Sequence, residues 1–72
     1  IMNKELHIGD KIKVKGWVMM KGLNDNRVYN IIKKDSISYT LRYRNNKAIR
    51  HYKSDIHLWI GDETNLNHIK VL

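Results

Sequence analysis

The sequence contains no cysteine. Disulfide support and thiolate chemistry are therefore excluded, which fits a reducing compartment. No apolar run approaches the roughly 18 residues that a membrane-crossing helix requires. No internal repeat, linker or low-complexity tract interrupts the chain. The expectation is a cytoplasmic protein with no membrane partner. Acidic residues are scarce: seven Asp and Glu stand against fourteen Lys and Arg, a net charge of +7. Such a field favours acidic partners such as nucleic acid, an acidic protein patch or an anionic membrane. AT-rich coding also favours Ile, Lys and Asn, so charge alone does not establish the partner.

At 72 residues the chain makes one domain at most. A domain of this size buries only about 60% of its unfolded surface, so its core is thin. Ile1 ahead of Met2 reads as a cloning remnant, which places the domain at residues 2–72. Met2 to His7 is a short lead-in, with Leu6 and Ile8 tucked under the sheet.

What is present is a period of two. In Ile8 to Val18, the even positions Ile8, Ile12, Val14 and Val18 are apolar and Lys11, Lys13 and Lys15 are charged. That pattern predicts a strand with one wet face, preceded by a Gly9-Asp10 turn and bent at Gly16. Residues 20–26 are rich in Gly, Asn and Asp and lack proline, as a mobile surface loop would. Arg27 to Lys33 predicts a second strand. Its Ile31-Ile32 pair breaks the alternation, as a bulge or a strand buried on both faces would. Lys34-Asp35 makes a turn. Ser36 to Arg44 alternates throughout, with Ile37, Tyr39, Leu41 and Tyr43 on the inner side. Asn45-Asn46 suits a two-residue hairpin turn with positive φ. Lys47 to Tyr52 then completes a three-stranded meander. Ser54-Asp55-Ile56 predicts one helical or 3₁₀ turn capped by Ser54. Ile56, Leu58 and Ile60 alternate with His57 and Trp59, which leaves Trp59 on the outer side. Residues 61–67 read as a loop, and Ile69 to Leu72 as a closing strand.

Five short strands in so short a chain argue an all-β fold, a small five-stranded barrel with a short 3₁₀ turn before the last strand. Three pieces resemble the SH3-like barrel group that includes KOW and Tudor modules. They are Gly9-Asp10-Lys11-Ile12-Lys13-Val14, then Tyr39 to Lys47, then Tyr52-Lys53-Ser54-Asp55-Ile56. The segment from Trp59 to Asn67 departs from the minimal pattern of that group. The size and residue usage also look like those of small phage or mobile-element proteins.

No catalytic constellation is visible, and the chain reads as non-enzymatic. His7, His51, His57 and His68 lack the close spacing of zinc ligands, so no metal or other cofactor is expected. The carboxylates sit mostly at predicted turns, where capping explains them. Gly61-Asp62-Glu63 lacks the pattern of a phosphate loop. The binding residues are expected on the wet faces: Lys11, Lys13, Lys15 and Trp17 of the first strand, Lys33 and Lys34 near a turn, Arg42 and Arg44 of the third strand, and Arg50 of the fourth. Lysine and arginine meet phosphates. Trp17 has two readings: an exposed stacking residue, or an inward one if Gly16 is a bulge. The function expected is DNA or RNA binding of low sequence specificity. The alternative is a protein-binding adaptor or inhibitor, for example phage-encoded, docking on an acidic surface of a host protein. There the adaptable Met19-Met20 pair would make contact.

Overall fold

The computed structural model describes residues 5–16, 18–60 and 68–72. The expectations placed on residues 1–4, on Trp17 and on the 61–67 loop lie outside these residues. Among the described residues five strands form: β1 (Lys11–Val14), β2 (Val28–Lys34), β3 (Ser38–Arg42), β4 (Ile49–Tyr52) and β5 (Ile69–Val71). Helix α1 (Lys53–Ile60) follows β4 directly. All pairings are antiparallel, in the order β4-β3-β2-β1-β5. The expected meander is therefore present as β2-β3-β4.

Two expectations about the architecture are corrected. The sheet is not closed into a barrel, because β4 and β5 lie at opposite edges and do not pair. Instead α1 packs against β3, β4 and β5 and covers the apolar side between the edges. The expected 3₁₀ turn is likewise absent among the described residues; the residues assigned to it lie in α1. Ile56, Leu58 and Ile60 fit a period of two, but Ile56, Trp59 and Ile60 also fit i, i+3, i+4. Burial decides between them. Ile56 is fully buried, Trp59 and Ile60 pack on the core, and Leu58 is 51% exposed. A helix this short owes its stability to such packing. Trp59 is therefore turned inward, against the expectation.

The core gathers Ile12 and Val14 from β1, Tyr29 and Ile31 from β2, Tyr39 and Leu41 from β3, and Ile56 and Ile69. Leu6 joins it as expected, but Ile8 is exposed. Ile8 belongs to a turn closed by Asp10 N–H donating to the His7 carbonyl at 3.0 Å, so β1 begins only at Lys11. Ile37 is also exposed, because it lies in the 35–37 turn and not in β3. The predicted mobile loop contributes Met20 and Leu23 to the core, while Met19 just before it is 75% exposed. Buried Tyr29 fastens this loop: its hydroxyl donates to the Gly22 carbonyl and accepts from Asn24 N–H, both at 2.9 Å. Gly22 has φ +84, and a Cβ there would lie 3.0 Å from Ile49 Cδ1. In the β3–β4 turn the positive φ falls on Arg44, at 52, and not on Asn45 or Asn46.

The doubled isoleucine marks a bulge. The β2–β3 register shifts between Ile31 and Lys33. Ile31 faces Leu41, Lys33 faces Thr40 and Lys34 faces Tyr39. Without the extra residue, regular alternation would set Lys33 opposite buried Tyr39. Ile32 absorbs the shift, and Lys33 reaches the outer face.

Candidate functional site

Residues directly opposite in an antiparallel pair project to the same face. That rule assembles the outer face of the sheet. Lys11 faces Asn30, which faces Arg42; Lys13 faces Val28 on one side and Lys70 on the other. Lys33 faces Thr40, which faces Arg50; Ser38 faces Tyr52. Strands lie about 4.8 Å apart, and same-face neighbours along a strand about 6.7 Å. Lys11, Lys13, Lys33, Arg42 and Lys70 therefore share one continuous surface. Among the described residues no carboxylate forms an ion pair with any of the five. Lys13 and Lys70 are like charges directly opposite, an arrangement that destabilises a sheet.

The remaining expected residues are placed differently. Lys15 is exposed just beyond β1, where its N–H donates to the His68 carbonyl at 2.7 Å. It lines a shallow recess together with Lys70 and Ile60. Arg50 lies on the outer face but is engaged: its Nε donates to Ser38 Oγ at 2.7 Å, and its guanidinium pairs with Asp35 at 3.2 Å. Arg44 leaves the sheet at the β3–β4 turn, with its guanidinium 5.1 Å from the Tyr43 ring centroid. Arg27 approaches the same ring at 4.4 Å. Lys34 emerges on the opposite side, next to the core. Its Nζ donates to Glu5 at 2.8 Å and to the Leu6 carbonyl at 3.3 Å. Lys53 donates to the same Glu5 oxygen at 3.1 Å. Lys34 thus fastens Glu5 and Leu6 to the sheet.

Lys70 is the residue that reading along the chain missed. Its alternation with Ile69 and Val71 placed it on a strand. Only the β1–β5 pairing places it against Lys13.

Two carboxylates, Glu5 on the core side and Asp35 at the β2–β3 turn, hold cations to the frame. Hydrogen bonds from Lys34 and then Lys53 hold the Glu5 carboxyl down at about 2. Asp35 is held at about 2 by the Ile37 N–H, then by the Ser38 hydroxyl and N–H, and by nearby Arg50. Ser38 is a buried polar residue, and both Asp35 oxygens accept from its hydroxyl at 2.9 Å. On the core side, the Tyr39 hydroxyl accepts from Leu6 N–H at 3.0 Å and lies 2.9 Å from His57 Nε2. Burial pushes the His57 pKa below its ordinary value, opposed by Glu5.

All three groups lose affinity for protons on folding. The unfolded chain therefore binds more protons, and stability declines as the solution is acidified. The His57 contribution is complete above about 6.5 and fades as pH falls below it. The Glu5 and Asp35 contributions are complete above about 4.5 and fade toward 2. Urea midpoints are therefore expected to fall from pH 7 to 5 and more steeply from pH 4.5 to 2. A midpoint constant between pH 7 and pH 3 would refute these pairings. Compared with known proteins, the chain matches no protein-family model, no curated protein and no solved structure.

Proposed function

We propose that the outer sheet face is a non-enzymatic contact surface for nucleic acid, of low sequence specificity. One observation carries this reading: five cations from β1, β2, β3 and β5 share that face without a carboxylate partner among the described residues. The Lys13–Lys70 opposition costs stability, and a polyanion laid over the face relieves it. Ammonium groups and a guanidinium on a sheet recognise phosphates, which carry no base sequence. The strand order, with a helical segment between the fourth and fifth strands, supports a topological kinship with SH3-like modules.

Five phosphate contacts imply a plot of log affinity against log salt with slope about −4.5 on duplex DNA, or about −3.5 on a single strand. Fluorescence anisotropy with labelled oligonucleotides between roughly 20 and 200 mM salt measures it. No binding at the lowest salt, or a flat response, would remove nucleic acid as the ligand. Capture from nuclease-treated lysate separates the rival reading, since an acidic protein partner survives the nuclease.

A further inference from the structure

Resting on the nucleic-acid reading of the outer face, we infer that Tyr52 is a base-stacking platform and that the preferred ligand is single-stranded. Tyr52 is 58% exposed on edge strand β4, opposite Ser38 and two residues beyond Arg50 on the same face. It borders a surface cleft of about 350 Å³ with Ser38, Arg50, His51 and Asp55. Among the described residues its ring stacks on no other ring and carries no cation.

The other three tyrosines are committed elsewhere. Tyr29 and Tyr39 are buried with engaged hydroxyls. Tyr43 is half-buried, with guanidiniums of Arg27 and Arg44 against its ring. Tyr52 therefore offers the available phenol face at one end of the cationic surface. From it, Arg50 and Lys33 lead across the sheet toward Arg42, Lys11 and Lys13.

A duplex keeps its bases stacked inside and offers this surface phosphates alone. A single strand offers both a backbone for the cations and a ring for Tyr52, and stacking tolerates any base. An edge-strand position suits that task, because a base laid on the ring meets no neighbouring strand beyond β4.

The test compares an unstructured oligothymidine of about 12 nucleotides, a duplex of the same length, and polyglutamate, by anisotropy at low salt. The wild-type protein is expected to favour the single strand. Tyr52→Ala is expected to weaken single-strand binding roughly 5- to 150-fold and to leave duplex binding within about twofold. Tyr52→Phe, which keeps the ring, is expected to retain the affinity. In the unaltered protein, the Tyr52 ring protons are expected to shift upfield on titration with oligothymidine. Equal effects of Tyr52→Ala on both DNAs, damage by Tyr52→Phe equal to that of alanine, or an unmoved ring resonance would overturn the stacking role while leaving the basic face in place. Binding to neither DNA, or tighter binding to polyglutamate, would overturn both.

Discussion

Replacing Ile56 with alanine is expected to remove about 2–5 kcal/mol of folding stability, whereas Leu58→Ala changes it by less than about 0.5 kcal/mol. Ile56 is fully buried and Leu58 is half-exposed, though both are apolar and lie two residues apart. A chain of 72 residues is stabilised by roughly 4–11 kcal/mol in total. Losing several of these is enough to leave a large unfolded fraction at 37 °C. The loss concentrates at Ile56 because it is the buried residue of α1, with Trp59 and Ile60 only partly buried one helical turn further on. In an extended strand, Ile56 and Leu58 would share a face and both truncations would be costly. Urea denaturation followed by circular dichroism distinguishes the cases. Similar losses for the two variants would mean that residues 53–60 are not the helix described.

The second large effect concerns binding. The double variant Lys11→Glu, Lys13→Glu lowers the net charge from +7 to +3, since each reversal removes two charges. It removes two of the five outer-face cations that have no carboxylate partner among the described residues. Affinity for DNA at low salt is expected to fall about 100-fold or more, and the slope against log salt to become shallower by about 2. Stability is expected to hold or to rise by a few tenths of a kcal/mol, because the carboxylate introduced at position 13 would face Lys70 where an ammonium faced it before. Lys34→Gln gives the opposite pattern. Lys34 is tied to Glu5 and the Leu6 carbonyl, so its loss lowers stability and leaves the salt slope unchanged. A salt slope that responds to Lys34 and not to Lys11 and Lys13 would move the contact surface to the other side of the sheet.

The sequence-based list joined residues that share a charge, and the fold sorted them by what stands beside them. Lys11, Lys13, Lys33 and Arg42 remain together because strand parity is a local property and the bulge at Ile32 preserves it for Lys33. Lys34 and Arg50 are drawn off by Glu5 and Asp35, which lie 29 and 15 positions away in the chain. Nothing in the neighbourhood of either residue announces those partners. Tyr52 follows the same logic: its exposure results from β4 being an edge strand.

The amino-acid order alone determined the alternating strands, the turns between them, the excess of positive charge and the absence of thiol chemistry. Each of these is set by neighbours within a few residues, through backbone sterics and side-chain polarity. Tertiary structure decided that residues 53–60 coil, that the sheet stays open, that Lys70 joins Lys13, and which cations are drawn into ion pairs. A short apolar run satisfies both helical and extended periods, and a charged side chain carries no record of its partner. Those choices wait for segments far apart in the chain to meet.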